Sequence, residues 1–411
     1  MEYGCIGERL KHSFSKEIHN VLADYDYQLK EVAKDELDDF AIQRNFKAIN
    51  VTIPYKEAII PHLKHIDEHA KLIGAVNTVV NKNGDLYGYN TDFFGMNELI
   101  KYAGINVKNK KVAILGTGGT SKTSIAVTRY LGAKEILVVS RSTSDKTITY
   151  NQLYAEHSDV QIIINTTPCG MFPDNYSQPV DIDKFPMLEG VVDAIYNPLR
   201  TKLVSKAIKR GIPAQGGLYM LVAQAVKACE IFIDKKFPQG TVEQTFKKIL
   251  QQKENIVLIG MPSSGKTTVG NLIAKELNKI MIDTDAVVES NGKKISDIFS
   301  EQGEMAFRDL ETKAIEKTGV QTGIVVATGG GAILRSQNID ALKQNGKIYF
   351  IDRPLENLIA TDDRPLSSTR EAVAKRYKER YSIYSSVCDC VIKADCNASE
   401  VAKKIIGDYV K

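Results

Sequence analysis

Three stretches of the chain share one pattern, an apolar strand-like run that breaks into glycines: KKVAILGTGGT at 110–120, ENIVLIGMPSSGKTT at 254–268 and GIVVATGGGA at 323–332. A β-branched run, a glycine turn and then a helical pattern is how a parallel sheet presents a helix N-terminus to an anion. Two of the three begin new domains. Ahead of the first, residues 1–98 alternate short strand candidates such as KAINVTIP and VNTVVN with amphipathic helical patterns, which predicts a separate α/β unit. Ahead of the second, TVEQTFKKILQQKE reads as a polar helix running almost directly into the strand NIVLIG. The expected class is α/β with domains at 1–98, 99–252 and 253–411, the helices of 215–252 packing back on the first. The junction near residue 252 has no Gly/Ser- or Pro-rich tether.

Composition narrows the class without naming a function. Of 411 residues, 25% are charged and 43% hydrophobic, with 29 Gly and 12 Pro, which excludes disordered, collagen-like and membrane compositions. The formal charge of +4 lacks the basic imbalance of a nucleic-acid binder. No apolar run approaches the ~18 residues of a membrane-spanning helix, and MEYGCIGERLKHS lacks a signal peptide's apolar core, so a cytoplasmic protein is expected. Six cysteines are too sparse for a disulfide framework. Cys388, Cys390 and Cys396 have no CxxC pair or nearby histidine and read as packing residues. His62, His65 and His69 have the spacing of one solvated helical face, a better reading than a metal ligand set. Small molecules are the expected partners, with no nucleic acid and no membrane, and no feature sets an oligomeric state.

The glycine loops carry the candidate chemistry. Gly116, Thr117, Gly118, Gly119 and Thr120 lie between the strand VAIL and the helix-like SKTSIAVTRYLGA, where bare amides can approach a pyrophosphate; Ser121 replaces the third glycine of GxGxxG. The next strand, EILVVSRS, ends in Ser140, Arg141 and Ser142, with no acid for a ribose 2′-hydroxyl. An arginine there favours a 2′-phosphate, hence NADP over NAD, against the alternative of a surface arginine at a strand end.

HSFSKEIHN, NVTIPYKE, GAVNTVV, GYNTD, INTTPCGM, DAIYNP and GGLYMLVAQA follow one another across residues 12–226. In that order they resemble shikimate dehydrogenase along its whole length. The resemblance implies an N-terminal α/β substrate domain, a Rossmann NADP domain and reduction of 3-dehydroshikimate to shikimate with NADPH. A small polyhydroxylated carboxylate needs donors for its anion and polar groups that fix its hydroxyls. The family uses the pair matched by Ser13 and Ser15 for the carboxylate, and two hydroxyls at this spacing point the same way from an extended segment. On their residues alone they fit a turn or helix cap.

Lys56, Asn77, Asp92 and Gln224 match the family's hydroxyl-binding and catalytic positions, with Thr52 in the same motif as Lys56. Hydride delivery leaves negative charge on the ketone oxygen, so Lys56 is the expected proton donor. Asp92 would hold the lysine and share a substrate hydroxyl; the alternative is an ordinary surface ion pair. Tyr196, Gly217 and Met220 match positions lining the nicotinamide and substrate cleft. Where the family usually reads Asn-Arg-Thr with a second arginine shortly after, this chain has Ser140, Arg141 and Ser142, with Asp145 in the place of that arginine.

Gly260, Met261, Pro262, Ser263, Ser264, Gly265, Lys266 and Thr267 match GxxxxGK[ST] in full, followed by Thr268. The loop's amides cradle phosphates, Lys266 reaches the β- and γ-phosphates of ATP, and Thr267 offers a hydroxyl to Mg²⁺. MIDTD, AFRDLE, ATGGGA, DDRPL and KERYSIY then follow in the order and spacing of shikimate kinase, a resemblance covering residues 254–411 and implying a P-loop domain like that of nucleoside monophosphate kinases. Asp283 and Asp285, two apart at a strand end, are expected to face one side, Asp283 toward Mg²⁺ and Asp285 toward the acceptor hydroxyl, whose proton it takes. Arg308 and Arg380 match the clamps on the shikimate carboxylate, with a solvated helix position as the alternative for Arg380. Gly329, Gly330 and Gly331 match the backbone beside the acceptor, and Arg364 matches the lid arginine. Two departures are Pro262–Ser264 where additional glycine is usual, and a short acidic lid, NLIATDDRPLSS, expected to weaken closure over ATP.

The resemblances together imply a shikimate dehydrogenase fused to a shikimate kinase, using NADP(H), ATP and Mg²⁺. A quinate/shikimate dehydrogenase, or a kinase-like half that only senses nucleotide or shikimate, is the alternative. Intact Lys266, Thr267, Asp283 and Asp285 argue against a sensor.

Overall fold

The computed structural model describes residues 1–10, 14–290, 292–359 and 369–411. They form two compact units, Met1–Ile249 and Leu250–Lys411. Ser13, Arg364 and most of the NLIATDDRPLSS segment lie outside the described residues.

The first unit contains two six-stranded sheets. One is mixed: β1 (Tyr3–Gly7), β2 (Tyr27–Glu31), β3 (Ala48–Val51), β4 (His65–Ile66), β5 (Thr78–Lys82) and β6 (Asp85–Tyr89), in the order β2-β1-β3-β5-β6-β4. Strand β5 runs antiparallel to both β3 and β6. The other is parallel throughout: β7 (Lys111–Leu115), β8 (Glu135–Ser140), β9 (Ile148–Thr149), β10 (Ile162–Asn165), β11 (Gly190–Asp193) and β12 (Ala214–Gln215), in the order β12-β11-β10-β7-β8-β9. KVAIL, IIIN and GVVD are near-continuous apolar runs because helices cover both faces of such a sheet. The chain leaves β7 toward β8 on one side and later returns to pair β10 on the other. That reversal opens a crevice at the carboxyl ends of the strands.

The long apolar helix Leu218–Phe232 packs back on the mixed sheet, where Ala228 and Phe232 join Cys5, Tyr27, Ala48 and Val80 in one buried cluster. It also packs against the helix Thr91–Tyr102, and Gly95 is required between them: a Cβ there would lie 2.7 Å from the Met220 carbonyl oxygen. Residues from the start of both helices therefore reach one cleft.

The second unit is a five-stranded parallel sheet, β13 (Asn255–Ile259), β14 (Ile280–Asp283), β15 (Ile324–Ala327), β16 (Gly346–Asp352) and β17 (Cys390–Lys393), in the order β14-β15-β13-β16-β17. Val257 and Ile259 face one buried cluster while Ile256 and Leu258 face another, so β13 is the central core strand. No described helix is long and apolar enough to cross a membrane.

Three local expectations are corrected. His62, His65 and His69 do not share a helical face. Pro61 falls within a short turn of 3-10 helix at Ile60–His62, His65 begins β4, and Asp67 caps a new helix, Glu68–Ile73, by accepting from the Ala70 amide at 2.9 Å. Ser15 is not in an extended segment but opens the helix Ser15–Leu22, so a period-two argument does not apply to it. Asp285 is not on a strand either. Asp283 ends β14 and caps the helix Thr284–Glu289, whose first turn carries Asp285.

Candidate active sites

A cleft of about 720 Å³ in the first unit brings together ten of the expected residues. Ser15, Thr52, Lys56, Asn77 and Asp92 come from the mixed-sheet lobe. Tyr196 enters from the turn after β11, and Gly217, Met220 and Gln224 from the start of the Leu218–Phe232 helix. Thr120, on the first turn after the glycine loop, lines the same cleft.

At its centre the Lys56 ammonium donates to Asp92 Oδ2 at 2.6 Å, with side-chain exposures of 20% and 11%. That degree of enclosure removes the surface-pair reading. Asp92 Oδ1 accepts from the Asn77 amide at 2.9 Å, and Asn77 Oδ1 accepts from the Thr91 backbone N–H at 2.8 Å, which fixes which way the amide faces. Gln224 Oε1 lies 3.5 Å from the Asn77 nitrogen, while its own amide donates to the Leu221 carbonyl at 3.1 Å. The lysine is left with further N–H donors directed at the cleft, and a carboxylate neighbour that keeps it positioned.

The packing behind these residues was not singled out from sequence. Asn50 lines the cleft and donates to the Asn77 carbonyl at 3.3 Å, while the buried Tyr27 hydroxyl donates to Asn50 Oδ1 at 2.7 Å. His19 stacks on Tyr27 with ring centroids 3.9 Å apart and is fully buried; burial lowers its pKa to about 3, so it is neutral. Asn50 begins the NVTIP motif, where strand alternation would have placed it beside Thr52. Its partner Tyr27 comes from a strand with no motif.

On the cofactor side, Gly116 has φ +105° and lies against Thr166 and Thr167, where a Cβ would fall 2.9 Å from the Thr166 hydroxyl. Around Gly118 and Gly119 there is open space within 4 Å, and the helix Gly119–Tyr130 begins there without a side-chain cap. Open glycines at an uncapped helix start fit a pyrophosphate. Thr117 lies between Gly116 and Gly118, while Ser140 closes β8 and accepts from the Ser142 amide at 3.4 Å. Arg141 is exposed at that strand end, as is Asp145.

Behind the crevice, fully buried Asp193 accepts from Asn165, the Ile195 amide and the Thr201 hydroxyl at 3.0, 3.0 and 2.7 Å. Burial raises its carboxyl to about 6. This network anchors the turn that carries Tyr196. Gly217 meets that turn so closely that a Cβ would lie 2.1 Å from the Ala194 oxygen.

In the second unit a cavity of about 770 Å³ is lined by Pro262, Ser263, Gly265, Lys266, Thr267 and Thr268 of the loop after β13. Gly260 and Gly265 have positive φ, and so does Ser263 at +62°, a conformation that costs a non-glycine residue of order 1 kcal/mol. The Ser263 hydroxyl donates to the Ile359 carbonyl at 2.8 Å, which holds the residue there. Met261 and Ser264 are buried beneath the loop. Lys266 folds back on the Gly260 and Met261 carbonyls at 3.0 and 2.8 Å. The Thr267 hydroxyl donates to Asp283 Oδ2 at 2.7 Å, and Asp283 Oδ1 accepts from the Asp285 amide at 3.0 Å. A hydroxyl beside a carboxylate is an oxygen donor set suited to Mg²⁺.

Across the cavity the backbone Gly329–Gly331 is compressed between side chains. A Cβ on Gly329 would lie 2.5 Å from Asp285 Oδ1, and one on Gly331 2.1 Å from the Arg308 guanidinium. Gly330 accepts from Arg380 at 3.0 Å and from the buried Tyr384 hydroxyl at 2.5 Å. Arg380 is only 7% exposed, which rules out the solvated reading. Arg308 donates to Glu311 at 2.7 Å and to Glu304 at 3.1 Å. Glu311 is buried, and its raised pKa follows from that burial, offset by Arg308. Glu311 and Tyr384 were missed as site residues, although the first sits one helical turn after Arg308 in AFRDLE.

Comparison with known proteins reaches both units. A model of the shikimate dehydrogenase substrate binding domain matches residues 5–79, and one of shikimate kinase matches residues 262–409. A shikimate dehydrogenase (NADP(+)) of Clostridium perfringens is 37% identical over 264 residues, covering 60% of this chain and 97% of that protein.

The chain belongs to the shikimate dehydrogenase family.

It carries a shikimate kinase domain in addition. These assignments make it an NADP-dependent oxidoreductase and an ATP- and Mg²⁺-dependent kinase. Among solved structures, a chorismate mutase/shikimate 5-dehydrogenase fusion protein from Clostridium acetobutylicum superposes with TM-score 0.57 at 35% identity, covering 60% of this chain and 96% of that one. Shikimate 5-dehydrogenase from Thermus thermophilus, in complex with NADP(H) and shikimate, gives 0.55 at 26% identity, covering 60% and 99%. The α/β architecture, a Rossmann-type NADP lobe followed by a P-loop domain, is thereby shown.

Proposed function

We propose that this chain performs two consecutive reactions, reducing the ketone of 3-dehydroshikimate to shikimate and then phosphorylating shikimate to shikimate 3-phosphate. The observation that carries the proposal is the pairing of cavities in one sequence: one holds Lys56, Asp92 and Asn77 beside a dinucleotide loop, the other Asp285 and two buried arginines beside a P-loop.

In the first site NADPH supplies the hydride. Lys56 donates the proton to the oxygen that becomes negative, and Asp92 holds the ammonium there while accepting from a substrate hydroxyl. Asn77 and Gln224 orient the remaining hydroxyls, with Ser15 and Thr52 on the carboxylate side. Tyr196, Gly217 and Met220 form the wall toward the nicotinamide. Gly116 to Thr120 hold the pyrophosphate, and Ser140, Arg141 and Ser142 receive the 2′-phosphate.

In the second site ATP supplies the phosphoryl group. Asp285 takes the proton from the acceptor hydroxyl, Lys266 and the loop amides steady the phosphates with Arg364, and Thr267 and Asp283 hold Mg²⁺. Arg308, Arg380 and the Gly329–Gly331 backbone bind the acceptor. Separate assays test the two halves: NADPH oxidation on 3-dehydroshikimate, and ADP release on shikimate, each repeated with quinate-series acids. Activity confined to quinate, or ADP release without shikimate dependence, would overturn the assignment.

A further inference from the structure

The kinase cavity contains three arginines on two helices, and they differ in how far their donors are engaged. Arg308 directs Nε and Nη2 at Glu304, at 3.3 and 3.1 Å, and Nη1 at Glu311. Arg380 donates to the Gly330 carbonyl. Arg376 lies one turn before Arg380 on the helix Arg370–Val387 and lines the same cavity, half-buried. Among the described residues no hydrogen bond or ion pair reaches its guanidinium. Burial and the neighbouring Arg380 lower its proton affinity, with Glu304 opposing them at longer range.

A guanidinium held half-buried beside a second arginine and without a partner of its own is costly unless an anion joins it. Its planar fork matches a carboxylate in two parallel hydrogen bonds. Arg308 has three of its donor directions on glutamates, so it steers an anion largely by charge, whereas the fork of Arg376 is open. Resting on the kinase reading above, we infer that Arg376 determines acceptor specificity by binding the acceptor's carboxylate from the same helix face as Arg380.

The test compares full-length wild type, Arg376→Ala and Arg376→Lys with shikimate and with its uncharged methyl ester, the latter as acceptor or competitor. Loss of a charge-assisted hydrogen bond predicts a rise in KM for shikimate of about tenfold or more in Arg376→Ala. KM for ATP should stay within about twofold, which also reports an intact fold. Lysine keeps the charge but not the fork, so Arg376→Lys should recover only part of the loss. The ester should bind wild type and Arg376→Ala alike. An unchanged KM for shikimate, or an equal loss for acid and ester, would overturn the inference while leaving the kinase reading intact. A wild type that does not phosphorylate shikimate would overturn both.

Discussion

Lys56 is held by one strong contact, to Asp92 at 2.6 Å, and its remaining donors face the cleft. Replacing Lys56 with Ala is therefore expected to lower reductase kcat by roughly 10² or more, the usual contribution of a general acid, with KM for NADPH nearly unchanged. Steady-state kinetics with both substrates varied checks this, and kcat retained within a few-fold would move the proton donor elsewhere. His19 makes the second residue-scale prediction. Its pKa is lowered from 6.5 to about 3, so below pH 6.5 the unfolded chain binds a proton that the folded one refuses. Stability is then lost as pH falls from about 6.5 toward 3, with a slope of up to about 1.4 kcal/mol per pH unit. Asp193, raised to about 6, acts in the opposite sense, its contribution being lost as pH rises through that value. Comparing denaturant unfolding of wild type and His19→Phe isolates the histidine: the acid limb should flatten in the variant, and an unchanged limb would refute its role.

At the scale of elements, the glycine-broken strands were legible because their two signals agree, an apolar run long enough for a buried strand and glycines at its carboxyl end. The seven ordered motifs placed Lys56, Asn77, Asp92 and Gln224 in advance, and the fold brings these distant positions into one cleft. Ser15 and Asp285 were misplaced for a shared reason. A polar residue near a strand end reads the same whether the strand continues or a helix begins, and here helices begin. Asn50, Glu311 and Arg376 could not be ranked from sequence, since their importance lies in which side chains across the cavity are already engaged. The Gly329–Gly331 segment makes a sharp prediction. Gly331→Ala places a methyl group where the Arg308 guanidinium lies, and a displacement of this kind should lower kinase kcat/KM for shikimate by about 10², with reductase activity unaffected. Near-normal kinase activity in that variant would show that Arg308 is free to move without loss.

For the whole molecule, the two units have separate cores, and the choice of cut between them matters. Lys279 donates to the carbonyls of Gln251, Gln252 and Glu254, and the Tyr409 hydroxyl donates to those of Gln251 and Glu254. A kinase fragment starting at Leu250 keeps these acceptors, whereas one starting at Asn255 leaves a half-buried lysine unpaired, at a cost of at least ~1–3 kcal/mol. Residues 1–249 should retain reductase activity, 250–411 should retain kinase activity, and 255–411 should unfold at lower denaturant concentration than 250–411. Equal midpoints for the two kinase fragments would contradict this.

The central claim, that one chain makes and then consumes shikimate, is tested most directly in a single vessel. Purified protein supplied with 3-dehydroshikimate, NADPH and MgATP, followed by mass spectrometry, should convert the ketone to shikimate 3-phosphate with shikimate as the transient species. Shikimate that accumulates without phosphorylation, or a ketone that is never reduced, would contradict it.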